Sequence, residues 1–173
     1  MSNRTAIQNV IQDVVSEVKA SLELPVLTFM YGTITELISD LHSMSGTPES
    51  AREKYPLVWM PMDVTEKYTD NDFVYEVTLR LIICSATDSN YTTAERYIQN
   101  FTPTLQPIYE ELLAQLALNS DLYVESDTQI PHSKTDRVHW GKTALISSDG
   151  QGIDFVDAIE IENLTLKVKF KNC

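Results

Sequence analysis

The chain has 173 residues, 43% of them hydrophobic and 22% charged, with 25 acids against 13 bases and a net charge of −12. That size and composition suit one folded domain that buries its own core without disulfides or metal, and they exclude wholesale disorder. The negative balance and the absence of a basic cluster argue against tight binding of nucleic acid, which relies on Lys and Arg displacing counterions, and against anionic membrane surfaces.

Ile7, Val10, Ile11, Val14, Val15 and Val18 recur at helical spacing and predict an amphipathic helix over 6–20. After Pro25, a short strand is expected at 26–31, broken by Gly32. Thr33-Ile34-Thr35-Glu36 has the form of a capping box and opens a helix over 34–43. A polar segment with Gly46 and Pro48 predicts an exposed loop at 43–55, followed by a strand from Pro56 to Met60. The longest strand is expected at 73–84, with Phe73, Tyr75, Val77, Leu79, Leu81 and Ile83 on one buried face. The other face starts polar and turns apolar at Ile82 and Cys84, so that end should be covered as well.

Thr92-Thr93-Ala94-Glu95 is a second capping box, opening a helix through Tyr97, Ile98 and Phe101. Thr102-Pro103 reads as the start of a further helix, in which Leu105, Ile108, Tyr109, Leu112, Leu113 and Leu116 form the stripe. Residues 119–152 are irregular, with short strands expected near 122–125 and 137–146 and an exposed loop at 141–152. The last strand points Leu164, Leu166, Val168 and Phe170 one way and Thr165, Lys167, Lys169 and Lys171 the other. Ile159 and Ile161 have the opposite parity, which predicts a bulge or turn at Glu162-Asn163. The order predicts a single α+β domain spanning 1–173: an antiparallel or mixed sheet with about four helices on one face.

Chemistry-bearing patterns are sparse. Gly141-Lys142-Thr143 resembles the end of a phosphate loop, but Asp136 occupies the position of the required first glycine. His42, His132 and His139 lack the spacing of metal ligands, and there is no Gly-x-Ser-x-Gly elbow. No catalytic, cofactor-binding or metal-binding residue is assigned, although a site assembled from distant residues stays open. Acids gather at Asp63, Glu66, Asp70, Asp72 and Glu76 and again at Asp154, Asp157, Glu160 and Glu162, and are read first as solvated faces. Trp59 is expected in the core. Trp140, beside His139 in a polar stretch, is the better interface candidate, with Tyr55, Tyr91 and Phe101 as further aromatic candidates. The Lys167, Lys169, Lys171 row reads as the wet side of the last strand, or as a guard on an edge. Cys84 reads as a small core residue, and with Cys173 at the end of the chain no disulfide framework is expected. Met1-Ser2-Asn3-Arg4-Thr5 lacks the apolar core of a signal peptide, and no stretch approaches the roughly 18 apolar residues of a membrane helix.

Several segments together resemble the small tail-completion proteins of tailed bacteriophages, the tail-terminator and neck class. These are the opening helix at 6–20, Phe29-Met30-Tyr31-Gly32 leading into a capped helix, the Tyr55-Pro56-Leu57-Val58-Trp59-Met60 strand and the strand at 73–84. Tyr91-Thr92-Thr93-Ala94-Glu95-Arg96 and the Asn100-Phe101-Thr102-Pro103 helix entry complete the set. The resemblance covers about two-thirds of the chain, to residue 118, and the stretch at 119–152 departs from a minimal member. It implies a structural virion protein forming a closed ring at the upper end of the tail or in the neck, six-fold symmetry being favoured over twelve-fold. Its implied partners are copies of itself, the adjacent neck, connector and tail proteins, and genomic DNA that passes without specific binding. No cofactor and no membrane is implied, and the implied location is the virion, with assembly in the host cytoplasm. Asp154, Asp157, Glu160 and Glu162 become lumen candidates, since an acidic wall repels DNA, and Trp140 and His139 stay interface candidates. The loops at 43–55 and 141–152 would make axial contacts. The alternatives are a cytosolic protein-binding adaptor without catalysis, and a small enzyme with a site distant in sequence.

Overall fold

All six residues of the first apolar stripe are buried along one side of α1, Ile7–Ser21. The helix has no side-chain cap at Ala6 and is rich in β-branched residues, so packing rather than propensity holds it. The computed structural model describes residues 6–46, 52–68, 73–125, 129–140 and 154–170. The expected loop at 141–152 with Gly141-Lys142-Thr143, part of the loop at 43–55, Asp70, Asp72, Lys171 and Cys173 lie outside the described residues.

Strand β1, Thr28–Gly32, leads directly into α2, Ile34–Met44. The capping box forms as expected: Glu36 N–H donates to Thr33 Oγ1 at 3.3 Å, and Thr33 N–H donates to the Glu36 carboxylate at 2.7 Å. Gly32 has φ 147°, and a Cβ there would stand 2.7 Å from Glu36 Oε2, so the box and the turn together require glycine.

Strands β2 (Leu57–Pro61), β3 (Thr65–Lys67) and β4 (Val74–Ala86) follow. The chain then enters one continuous helix, α3: a turn at Thr93–Arg96, a π-helical segment Tyr97–Leu105, and Gln106–Leu118. The second capping box is present at Thr92 and Glu95. The expectation of two helices meeting at Thr102-Pro103 is corrected here. Pro103 lies inside the helix, where its ring would press on the carbonyl four residues back in α geometry. The wider π turn relieves that clash, with Gln106 N–H donating to Phe101 O five residues back.

Strands β5 (Leu122–Tyr123), β6 (Ser133–Arg137) and β7 (Val156–Lys169) complete the sheet. β6 begins four residues before the strand expected at 137–146. The order is β1-β2-β4-β7-β5, with β3 on the same side of β4 as β2 and β6 also pairing β7. Among the described residues only β1 and β2 run parallel. β4 and β7 form the central ribbon of this curled, mixed, half-barrel sheet. The bulge foreseen at Glu162-Asn163 lies there: two residues of β7 oppose Arg80, and Asn163 takes φ 55°, which switches which side chains face inward.

The domain is therefore α+β, and among the described residues it has three helices, not four, which do not share a face. α1 and α3 cover the face of Val58, Met60, Val77, Leu79, Leu81 and Ile83, where Leu105, Ile108, Leu112 and Leu116 meet the α1 stripe. α2 covers the opposite face, where Leu37 and Leu41 pack on Leu57, Trp59, Ile82, Cys84, Val156 and Ala158. This second core is why β4 turns apolar on both faces toward its end. Phe73 departs from the expectation; it precedes β4 and is 68% exposed.

Candidate functional site

The acids expected to be solvated prove to be the scaffold of one end of the molecule. Asp157, at the start of β7, is fully buried against Arg96, itself fully buried in the first turn of α3. Arg96 Nη1 donates to Asp157 Oδ1 at 3.0 Å and to Thr87 Oγ1 at 3.0 Å, Nη2 to Asp88 O at 2.8 Å, and Nε to Tyr91 O at 3.1 Å. Asp157 also accepts from Asn100 Nδ2 and from the backbone N–H of His139, each at 3.1 Å. One guanidinium thus ties down the whole β4–α3 connection while one carboxylate joins α3, β7 and the 138–140 turn. Removing either partner would leave a buried charge uncompensated, at a cost of roughly 3–5 kcal/mol.

Glu160 is 7% exposed and accepts from Arg137 Nε at 3.0 Å and from Trp140 Nε1 at 2.8 Å. Asp154 accepts from buried Lys54 at 2.9 Å and from Tyr55 hydroxyl at 3.2 Å. The lumen assignment is thereby corrected for Asp157 and Glu160, which face the interior because both sides of that part of β7 are covered. Asp154 and Glu162 are half-buried. Trp140 is also corrected: it is buried, 6.0 Å from Trp59 between ring centroids, and belongs to the second core. His139 is half-buried with φ 54°, so its contribution is the turn that delivers its N–H to Asp157. Trp59 is in the core, as expected.

No catalytic constellation assembles among the described residues. His132 is held by Tyr109 Oη and Ile130 O, each at 2.7 Å, while His42 is exposed at the end of α2. No group of three or more His, Cys, Asp or Glu that could hold a metal ion is found among the described residues. Burial first, and then the charge of Glu160, pushes the Cys84 thiol up, so it stays protonated and unreactive.

What does stand out is exposed apolar surface at both ends of the central ribbon. At the start of β4, exposed Phe73 and Tyr123 (47%) line a groove with Val74, Tyr75, Glu76, Glu125 and Lys167, and Tyr68 (48% exposed) stacks on Tyr75 beside it. Tyr75 stacks with Tyr68 at 5.6 Å and meets Phe170 at 5.1 Å, so these rings stand on the core. At the end of β4, exposed Tyr91 and Phe155 flank a shallow groove containing Asp88, Ser89 and Gln99. The 13 residues of β4 separate the two ends by roughly 40 Å. Single exposed apolar residues mean little, but clusters of aromatics anchored on the core are the usual material of protein interfaces. Of the aromatic candidates named from sequence, Tyr91 lies on such a surface, Tyr55 is half-buried, and Phe101 is core. Phe73, Tyr123 and Phe155 were missed because alternation alone cannot tell a covered strand end from a bare one.

No protein-family model matches the chain, and no curated protein sequence is significantly similar to it. No helix among the described residues is long and apolar enough to cross a membrane.

Proposed function

We propose that this chain is a structural virion protein of a tailed bacteriophage, a ring subunit of the neck or of the upper end of the tail that joins tail to head while DNA passes. The resemblance of its segments up to residue 118 motivates the reading. The observation that carries it is the pair of aromatic surfaces at opposite ends of the long β4–β7 ribbon. A subunit stacked between one neighbour above and another below needs two such surfaces, one at each end. An adaptor docking a single partner needs only one. The net charge of −12 fits a channel that DNA traverses without sticking, because a wall without Lys and Arg releases no counterions. Asp157 and Glu160 do not contribute to such a wall. Glu162 does remain a candidate for it.

The test is the mass of the purified chain by light scattering over a concentration series, followed by negative-stain microscopy. Rings of uniform size support the proposal and give the symmetry. A chain that stays monomeric while binding one host protein would move the assignment to an adaptor.

A further inference from the structure

Resting on the ring reading, we infer that the subunits join by sheet extension, β1 of one copy pairing antiparallel with β6 of the next. Four short strands border the central part of the sheet, and they differ in how well they are defended. β3 has three residues and β5 two, too short to template another strand. β1 and β6 have five each and stand at opposite sides of the sheet. Neither contains proline, and β1, Thr-Phe-Met-Tyr-Gly, carries no charge at all. No strand flanks the outer side of either among the described residues.

The backbone of β1 is set for this. Thr28 N–H donates inward to Pro56 O at 3.0 Å, and in a parallel ladder the donors alternate, so the N–H groups of Phe29 and Tyr31 point away from β2. Strand directions also agree. β6 runs against β7, β7 against β4, β4 against β2, and β2 with β1, so β1 and β6 run oppositely. Rotation about an axis along the strands keeps these directions. A head-to-tail ring therefore brings β1 against its neighbour's β6 as an antiparallel pair, and such contacts close by rotation. Charge does not oppose this seam. Two copies of an acidic chain repel, but here an uncharged strand meets one whose charges are balanced within the subunit, Lys134 by Asp136 at 2.7 Å and Arg137 by Glu160 at 3.0 Å.

The experiment compares amide hydrogen exchange of the full chain diluted to monomer and concentrated to its oligomer, alongside the Tyr31→Pro variant. Exchange should slow on assembly in both 28–32 and 133–137. Tyr31→Pro removes an N–H that β2 does not use, so it should keep its circular dichroism spectrum and lose the oligomer. Slowing at 28–32 alone would mean two-fold pairing of β1 with itself and would overturn the seam. A discrete ring with no slowing at either strand would also overturn it while leaving the ring reading intact. A chain monomeric at every concentration removes both. If Tyr31→Pro does not fold, the exchange data on the unaltered chain still decide.

Discussion

The two halves of β7, on either side of the bulge at Asn163, follow opposite rules. From Val156 to Ile161 every residue is buried, because α1 and α3 cover one face and α2 with Trp140 the other. From Leu164 onward only alternate residues are buried, and Thr165, Lys167 and Lys169 stand partly or fully in water. The acids therefore sit in the dry half and the lysines in the wet half, the reverse of what charge alone suggests for a negative protein. A carboxylate in a doubly covered strand persists only with a full set of donors, and Arg96, Asn100 and the His139 N–H supply it for Asp157. Lys167 needs only Glu125 at 2.9 Å, which holds its ammonium above the ordinary lysine range through hydrogen bonding and charge.

Substitutions should separate the halves. The largest effect is expected for Asp157→Ala, which strands the Arg96 guanidinium. Urea unfolding should show a loss of roughly 3–5 kcal/mol, and a loss under about 1 kcal/mol would mean that the pair is not buried in solution. Glu160→Gln keeps an acceptor for Trp140 Nε1 but surrenders the charge facing half-exposed Arg137. A loss of about 1 kcal/mol is expected, with a shift in tryptophan fluorescence no larger than a small environmental change. If Glu160 were solvated, neither signal would move.

The capping boxes provide the exposed counterpart. Hydrogen bonds from Thr33 N–H and then its hydroxyl hold the Glu36 carboxyl below its ordinary value, and Thr92 does the same for Glu95. A depressed folded-state value means that this stabilisation is complete above the ordinary glutamate range and is lost as pH falls through the depressed values. Thermal midpoints should therefore fall on acidification, and Thr33→Ala with Thr92→Ala should flatten that fall. An unchanged slope would show that the boxes are not formed in solution. The smallest effect belongs to Lys167→Ala, in the wet half. Its unfolding midpoint should match the parent, and a clear drop would place that lysine in a covered surface.

The regular elements were legible where one face of the chain meets water. The α1 stripe, both capping boxes, the strand alternation from Tyr75 to Ile83 and the parity switch at Asn163 all appear in the structure as expected. Lys167 and Lys169 stand on the wet side of the last strand as read, and only the edge alternative falls, since β7 is an interior strand flanked by β4 on one side and β5 and β6 on the other. Pro103 was a fair helix start, yet the helix runs through it by widening its turn.

By itself, then, the sequence determined which residues form helices and strands and which of their faces are apolar, because periodicity and capping act over a few residues. Only the tertiary structure decided that α2 crosses to the far side of the sheet, where Trp140 and Glu160 are buried, and that α3 buries Asp157 through Arg96 and Asn100. It also decided that Phe73, Tyr91 and Phe155 are exposed at the ends. Burial is set by what packs on a face, and the elements that cover β7 lie up to 154 residues away in the chain, from Ile7 to Ile161. No local pattern carries that information.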